Sequence, residues 1–413
     1  MPVSYRELLR RFGDRVLIDG ALDALRTLPD DFFHVVVTSP PYYGLRDYGT
    51  RMWFGGDNPD CEHGEVKDAF YEGHRGNRGQ TPQTKWPNQQ EYPQHAGVGL
   101  GTCVQCGAWL GQIGLEPTPE LFITHLVEIF REVRRVLRPD GVCWVNIAAS
   151  YVRAGCDGGA FKEKDLIGIP WLLAMALQAD GWYLRGEVIW EKPKILPQSV
   201  RDRPTVSHEQ LFLLTRRPHY FYDAEGYKEP VSGERAATRN ARSVWRISPQ
   251  SYHGAHDAPF PPELPRRCIR LGSSEHGACS ECGAPFARIL ERVIPEASRF
   301  ESNVVPNNTP HQKFSWGQQK VRDENPPITK GWEPTCKCQG VEVEPCIALD
   351  PFSGSGTTLA VSVEEGRRYV GIELNESYKP LIDGRLRGPT EEANERGLFS
   401  LMEHLDEDFG DDA

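Results

Sequence analysis

The sequence predicts an α/β fold whose mostly parallel sheet is covered by helices on both faces. Segments rich in β-branched residues alternate with segments of helical periodicity, and a strand-helix-strand unit can be read near the carboxyl end. Two short polar runs each follow directly on an apolar strand segment. Because parallel strands present their carboxyl ends at one edge of a sheet, both runs are predicted to meet at a single site.

The predicted elements follow this alternation along the chain. A turn and short helix over residues 19–28 precede a strand over residues 33–37. A longer helix begins at Thr118, a good N-cap, with Pro119 in its first turn, and ends before Pro139-Asp140-Gly141. The later predicted elements are a strand over 142–147, a helix over 166–179, strands over 183–190 and 210–215, and the unit formed by a strand over 347–349, a helix over 357–365 and a strand over 369–373.

Length and composition exclude several classes of protein. The 413 residues fit one large α/β domain with insertions as well as they fit two domains. No run approaches ~18 consecutive apolar residues, and residues 1–10 lack a signal-peptide pattern, so we expect a cytoplasmic protein without a membrane span. The net charge of −11 includes an acidic tail at 403–413, whereas arginines concentrate between residues 201 and 246. A locally basic cleft on an acidic body is therefore compatible with the composition.

The two polar runs are Ser39-Pro40-Pro41-Tyr42 and Asp350-Pro351-Phe352-Ser353-Gly354-Ser355-Gly356-Thr357-Thr358. The first resembles the catalytic signature of DNA methyltransferases that modify exocyclic amino groups, and the second resembles their S-adenosylmethionine loop. The first run precedes the second by 311 residues, counted from Ser39 to Asp350. This order is a mark of the beta group of that family. The resemblance implies a Rossmann-like methyltransferase sheet in permuted order and activity on double-stranded DNA.

Methylation of an exocyclic amine explains the residue types of the first run. The lone pair of such an amine is delocalised into the ring, so a site must accept hydrogen bonds from its N–H groups and hold the nitrogen in line with the methyl donor. Ser39 Oγ and the Pro40 carbonyl suit this role, since Pro40 and Pro41 fix φ and remove backbone donors. Tyr42 offers a ring face for a flipped base. Ser at position 39 is commoner in the cytosine-N4 members of the family and Asp in the adenine-N6 members, so cytosine is favoured and adenine stays open.

The second run suits a nucleotide-like methyl donor. Gly354 and Gly356 permit a tight turn close to a ligand, and the helix that opens near Thr357 offers N–H groups to a carboxylate. Glu373 ends the next strand, where an acid can accept from both ribose hydroxyls. The resemblance adds Asp19 as a partner of the adenine amino group and a segment around Pro259 and Phe260. The full set of expected cofactor residues is Asp19, Pro259, Phe260, Asp350, Phe352, Gly354, Gly356, Thr357 and Glu373.

Seven of the eleven cysteines fall into groups with metal-ligand spacing. One set is Cys61, His63, Cys103 and Cys106, and the other is Cys279, Cys282, Cys336 and Cys338. Four thiolate or imidazole ligands suit structural zinc, and each set brackets a polar stretch that cannot build its own core. We therefore predict two zinc-tied insertions. The first, which leaves the carboxyl end of the catalytic strand, is expected to overhang the substrate cleft, and the second is expected to point away from it.

Target recognition is expected between residues 194 and 246, where the family carries it. The candidate DNA-binding residues are Arg201, Arg203, Arg235, Arg239 and Arg242. The predicted division is a catalytic-motif half at 1–54, a zinc-tied insertion at 55–115, the continued catalytic domain at 116–193, target recognition at 194–246, a cofactor-pocket segment at 247–275, a second zinc-tied insertion at 276–344, a cofactor-binding half at 345–390 and an acidic tail at 391–413.

Two alternatives to cytosine-N4 methylation stay open at this point: adenine-N6 methylation on the same scaffold and, more remotely, a zinc-containing DNA-binding protein that has lost catalysis. The sequence leaves the recognition site, the oligomeric state and the existence of a cognate restriction endonuclease undetermined.

Overall fold

A computed structural model describes residues 3–45, 48–58, 60–63, 66–67, 101–152, 161–195, 197–230, 238–249, 260–291 and 327–388. The strands are β1 Arg15–Ile18, β2 Phe33–Thr38, β3 Met52–Phe54, β4 Val66–Lys67, β5 Gly101–Cys103, β6 Trp109–Gly111, β7 Leu137–Ile147, β8 Tyr183–Glu191, β9 His208–Thr215, β10 Lys228–Pro230, β11 Thr238–Asn240, β12 Val244–Arg246, β13 Ala278–Cys279, β14 Phe286–Glu291, β15 Ile328–Pro334, β16 Val343–Glu344, β17 Ile347–Asp350 and β18 Arg368–Glu373. The helices are α1 Tyr5–Phe12, α2 Ala21–Arg26, α3 Pro119–Val136, α4 Ile169–Ala179, α5 Glu263–Gly272, α6 Thr357–Glu364 and α7 Lys379–Leu386, with a 3₁₀ turn at Glu376–Tyr378.

An eight-stranded sheet in the order β1-β18-β17-β2-β7-β9-β8-β12 forms the centre of the fold. Neighbouring strands run parallel except around β9, which is antiparallel to both β7 and β8. Strand β2 pairs directly with β17, with Val36 opposite Leu349. The two motif-bearing strands are therefore neighbours that end at the same edge, as the sequence predicted. The predicted mostly parallel sheet is confirmed.

The sheet is buried on both faces because its strands alternate side chains between two cores. On β2, Val36 packs into the core formed with α1 to α4, whereas Val35 and Val37 pack into the core formed with α5 and α6. All six residues of β2 are buried, which explains their continuous apolar character. The motif at the end of β2 is thus held on a fully packed strand.

The boundaries of the predicted elements shift by a few residues. Helix α3 begins where expected, and Thr118 Oγ1 accepts from the N–H of Leu121 at 3.2 Å. Helix α4 begins at Ile169 instead of residue 166, because Gly168 adopts a left-handed φ of 73° before the helix. Strand β7 begins at Leu137, five residues earlier than expected, because the strand passes through Pro139-Asp140-Gly141 with a bulge against β2.

Several elements had no counterpart in the sequence prediction. Helix α1, β1 and α5 were not predicted; α1 and α5 are short, arginine-rich helices that each bury one apolar face. The polar stretch that was expected over residues 291–333 contains β15 at its end, which pairs with β14 in a hairpin. The rest of that stretch, and residues 72–100 of the first polar stretch, lie outside the described residues.

The second insertion docks at the amino ends of the sheet strands. His34 at the start of β2 donates from Nε2 to the carbonyl of Gly283 at 2.8 Å and accepts at Nδ1 from the N–H of Ile347. Burial, with help from Arg138, lowers the pKa of His34 to about 3, so the ring is neutral at this junction. This places the second cysteine set opposite the edge that carries the two motifs, as predicted. Within the described ranges, no helix is long and apolar enough to cross a membrane.

Candidate active site

A cavity of about 450 Å³ opens at the carboxyl ends of β2, β17 and β18. It brings together residues from both motifs although they are more than three hundred positions apart. The predicted site residues that line it are Asp19, Ser39, Pro40, Pro41, Tyr42, Phe260, Phe352, Gly354, Thr357 and Glu373. Asp350 and Gly356 do not line this cavity, and Pro259 lies outside the described residues.

The turn after β17 is held by the acid that ends β18. Glu373 accepts from the N–H of Gly354 and from the N–H of Asn375, each at 2.8 Å. Burial raises the pKa of Glu373 to about 7, and its two backbone donors oppose that shift. Gly356 precedes α6 with a φ of 79°, and a Cβ there would lie 3.0 Å from Ile382. The turn therefore needs glycine for its backbone conformation and for its packing.

Asp350 links the two motifs from behind the cavity. Its carboxylate accepts from Thr38 Oγ1 and from Thr358 Oγ1, both at 2.7 Å, and from the N–H of Phe352 at 3.1 Å. The side chain is 1% exposed, and burial raises its pKa to about 6. Asp350 therefore connects the end of β2, through Thr38, to α6, through Thr358.

The catalytic-type turn at Ser39-Pro40-Pro41-Tyr42 leads into a polar cluster. Tyr42 Oη donates to Glu209 Oε2 at 2.6 Å and accepts from Asn146 Nδ2 at 2.6 Å and from Ser39 Oγ at 3.1 Å. Burial and the neighbouring Glu209 carboxylate raise the pKa of Tyr42 well above its ordinary value. The phenol is therefore a neutral hydroxyl, and its ring is held in one orientation at the cavity wall.

Among the cavity residues that were not predicted as site residues are Asn146, Lys192 and Glu209. Asn146 lies near the end of β7, Lys192 follows β8, and Glu209 lies at the start of the antiparallel β9, so all three reach the same sheet edge. Lys192 forms an ion pair with Glu209 Oε1, and its ammonium lies 4.3 Å from the ring centroid of Trp190. The sequence shows each of these three residues as a polar residue at or near the end of an apolar strand. Only the position of β9 between β7 and β8 in the sheet shows that the three side chains lie close together.

One wall of the cavity is formed by the first insertion and the strand that precedes it. Gln112 and Ile113 of the insertion line the cavity, together with Met52 and Phe54 just before it. Gly114 lies against the catalytic-type turn with a φ of 93°, and a Cβ there would be 2.9 Å from the carbonyl oxygen of Tyr42. The described end of the insertion therefore borders the cavity next to the catalytic-type turn.

A buried acid supports that wall from behind. Glu116 accepts from the N–H of Gly114 at 2.8 Å, and its other oxygen lies 3.0 Å from Nδ1 of His125 on α3. The His125 ring stacks against both Phe54 and Trp109, at centroid distances of 5.0 and 5.5 Å, and these two rings are 5.7 Å from each other. The insertion and the catalytic-type turn are thus one packed unit with α3.

Comparison with known proteins decides the family. A family model for N6 and N4 methyltransferases, described as DNA methylase, matches residues 33–279 and 346–383, which contain both motifs. The chain belongs to this DNA methylase family. It is 32% identical over 391 residues to the type II methyltransferase M.SmaI of Serratia marcescens, with 90% of each chain covered. It is also 32% identical over 412 residues to the type II methyltransferase M.Cfr9I of Citrobacter freundii, with 94% of each chain covered.

Among solved structures, the methylase is similar to the cytosine-N4-specific PvuII DNA methyltransferase. The identity is 14%, the TM-score is 0.48, and the match covers 90% of this chain and 85% of that one.

The two predicted ligand sets are assembled in the methylase. In each set the four ligand atoms lie within 4.8 Å of one another. Cys61 Sγ is 3.7 Å from Cys103 Sγ, and Cys106 Sγ is 3.3 Å from His63 Nδ1. Thiolates bound at about 2.3 Å to one tetrahedral zinc would be separated by about 3.8 Å. Both donor sets therefore fit a four-coordinate zinc ion.

The candidate DNA-binding arginines of the methylase differ in their surroundings. Arg239 and Arg242 both form ion pairs with Glu229, with Nε to Oε2 distances of 3.3 and 2.8 Å. The guanidinium of Arg203 lies 3.9 Å from the ring centroid of Tyr151. Arg201 is exposed, and Arg235 lies outside the described residues. Glu229 therefore neutralises part of the positive charge that the arginines contribute to the predicted recognition region.

Proposed function

We propose that this methylase transfers a methyl group from S-adenosylmethionine to the exocyclic N4 amine of cytosine in duplex DNA. The supporting observation is that two groups of residues line one cavity at adjacent strand ends. One is the turn that begins at Ser39, and the other is the turn around Gly354 together with Glu373 at the end of β18. Such a cavity lets a flipped base and the methyl donor meet for direct in-line transfer, without a covalent enzyme intermediate.

The residues of the second motif would hold S-adenosylmethionine, which supplies an electrophilic methyl group when bound. Glu373 suits the two ribose hydroxyls, the N–H groups around Thr357 suit the methionyl carboxylate, and Asp19 suits the adenine amino group. Phe260 and Phe352 add apolar surface to the same cavity. We assign Gly354 and Gly356 to the shape of the turn and Asp350 to its support from behind.

Ser39 and Pro40 are the proposed acceptors for the target amine, and the Tyr42 ring is the proposed stacking surface. Cytosine is favoured over adenine because position 39 is Ser, whose neutral oxygen is typical of cytosine-N4 members of this family. Adenine also presents an exocyclic amine, so adenine-N6 transfer on the same scaffold is the alternative. Detection of N6-methyladenine would replace the assignment to cytosine.

We also propose that the methylase modifies one specific DNA sequence, as a type II modification enzyme does. It would act in the cytoplasm, and a cognate restriction endonuclease would recognise the same sequence. Arg201, Arg203, Arg235, Arg239 and Arg242 are the proposed contacts to phosphates and base edges. Genomic DNA from cells that express the methylase would be sequenced with modification-sensitive detection, with Ser39→Ala as the control. One short motif with modified cytosine is expected only for the wild type. Modified adenine, or the same pattern from both proteins, would overturn the proposal.

Each cysteine set is proposed to bind one structural zinc ion. Four protein ligands leave no open position for a substrate, so the ions would fold the insertions and take no part in methyl transfer. Elemental analysis of the purified chain should give about two zinc ions, and Cys279→Ser should remove one of them. Purified active protein that contains no zinc, and whose melting temperature a chelator leaves unchanged, would contradict this assignment.

A further inference from the structure

A chain of hydrogen bonds leads from the catalytic-type turn to a buried carboxylate. Ser39 Oγ is 3.1 Å from Tyr42 Oη, which is 2.6 Å from Glu209 Oε2. Glu209 is 8% exposed and lies on β9, outside both sequence motifs. The roles proposed so far do not use this carboxylate.

The direction of every hydrogen in this chain is fixed by its neighbours. An ionised carboxylate only accepts, so the Asn146 side chain must turn Nδ2 toward Glu209 Oε2, at 2.7 Å. The same Nδ2 donates to Tyr42 Oη at 2.6 Å. Tyr42 has one hydrogen, which points to Glu209, so the Ser39 hydroxyl must donate to Tyr42. Ser39 Oγ then faces a substrate amine with its lone pairs available as acceptors.

Charged and polar side chains surround the end of the chain. Lys192 forms an ion pair with Glu209 Oε1, the carboxylate oxygen that Tyr42 does not contact. The other titratable side chains that line the cavity are Asp19, Tyr48, Glu373 and Tyr378. His208 precedes Glu209 on β9, and its Nε2 lies 3.4 Å from Gln210 Nε2. Within the described part of the chain, Asn146 Oδ1 is buried without a partner, which leaves one more acceptor beside the cluster.

We propose that Glu209 is the terminal acceptor of the proton that the target amine loses, and that Ser39 and Tyr42 relay it. This inference rests on the proposed amine methylation. The amine nitrogen forms a bond to the methyl carbon while the bond from that carbon to sulfur breaks and its electron pair stays on sulfur. The nitrogen, now cationic, gives one proton to Ser39 Oγ. The Ser39 hydrogen passes to Tyr42 Oη, and the Tyr42 hydrogen passes to Glu209 Oε2, so Glu209 ends neutral and both hydroxyls are restored.

The relay has a favourable direction. A methylated exocyclic amine that still carries its extra proton is far more acidic than a carboxylic acid, so transfer to Glu209 is downhill. Tyr42 stays a neutral phenol and passes a proton only as it receives one. A purely structural Glu209 would orient the Tyr42 ring equally well, but it would not need to be ionised during the reaction.

The test compares Glu209→Gln, Tyr42→Phe, the double variant and the control Glu187→Gln. Glu187 lies on the neighbouring strand β8 and does not line the cavity. Single-turnover methyl transfer with saturating S-adenosylmethionine should fall about 10²-fold in each cluster variant, no further in the double variant, and not at all in the control.

Two measurements without turnover exclude a merely structural effect. The Kd for S-adenosylmethionine, by calorimetry, and the fluorescence of 2-aminopurine at the flipped position should stay within about twofold of wild type in Glu209→Gln. The relay is overturned if Glu209→Gln keeps the wild-type rate, or if the effects of Glu209→Gln and Tyr42→Phe multiply. If the wild type methylates no DNA, the proposed function fails, and the relay fails with it.

Discussion

Binding of S-adenosylmethionine should depend on pH through Glu373. The pKa of this carboxyl is about 7 in the free protein because the side chain is buried. If the ionised form accepts from the ribose hydroxyls, the cofactor binds only the fraction of protein in which Glu373 is ionised. That ionised fraction is about nine-tenths near pH 8 and about one-tenth near pH 6. The Kd for S-adenosylmethionine should therefore rise about tenfold when the pH is lowered from about 8 to about 6.

The same shift predicts an opposite effect on stability. A raised pKa in the folded state means that the ionised carboxylate destabilises the free protein, so stability is lost as pH rises from about 4.5 to about 7. The shift is about 2.5 units, or on the order of 3 kcal/mol. Glu373→Gln should therefore stabilise the free protein near pH 8 by about 1–3 kcal/mol while it weakens cofactor binding.

Calorimetry at about pH 6, 7 and 8 and urea unfolding without ligand measure the two effects. Glu376→Gln is the matched control, because Glu376 is exposed, lies three residues further on and does not line the cavity. The control should keep the wild-type dependence of Kd on pH, and Glu373→Gln should lose it. A wild-type Kd that is constant between pH 6 and 8, or a Glu373→Gln variant that retains the tenfold change, would refute the assigned role.

Three further predictions concern the catalytic turn, its support and DNA binding. Ser39→Ala should lower the rate of methyl transfer about 10²-fold in single-turnover assays with an unchanged Kd for S-adenosylmethionine, and a rise in Kd alone would count against the assigned role. Gly114→Ala should destabilise the chain by about 1–3 kcal/mol and also slow transfer, because its Cβ would meet the Tyr42 carbonyl, whereas Gly366→Ala, with a φ of 70° and open space, should affect stability alone. Arg242→Ala should reduce the slope of log affinity against log salt by about one in DNA-binding titrations, and Arg131→Ala on α3 should leave it unchanged.

Local signals predicted much of the fold and the core of the site. The spacing of apolar residues from Thr118 onward predicted α3, and the β17-α6-β18 unit follows from two apolar runs around a glycine-rich turn. The adjacency of Ser39 and Gly354 followed from their positions after two buried strands. In these cases one short segment contains the whole physical signal.

The parts that were missed depend on tertiary pairing. Glu209 begins a strand that runs antiparallel between β7 and β8, and only that reversal brings it to the edge where Asn146 and Lys192 end. Helix α1 packs against the core through Tyr5, Leu8, Leu9 and Phe12, a helical spacing that the sequence contains but that was not recognised in so short a segment. Asp350 belongs to the predicted motif, but its ties to Thr38 and Thr358 require the fold to be known.

The identity of the methylated nucleoside tests the central claim most directly. Duplex DNA that contains the recognition site would be incubated with the purified chain and S-adenosylmethionine labelled with ¹³C in the methyl group, then digested to nucleosides for chromatography and mass spectrometry. The proposed site predicts labelled N4-methyldeoxycytidine, with little label in the Ser39→Ala reaction. Label found only in N6-methyldeoxyadenosine, or in no nucleoside, would contradict it.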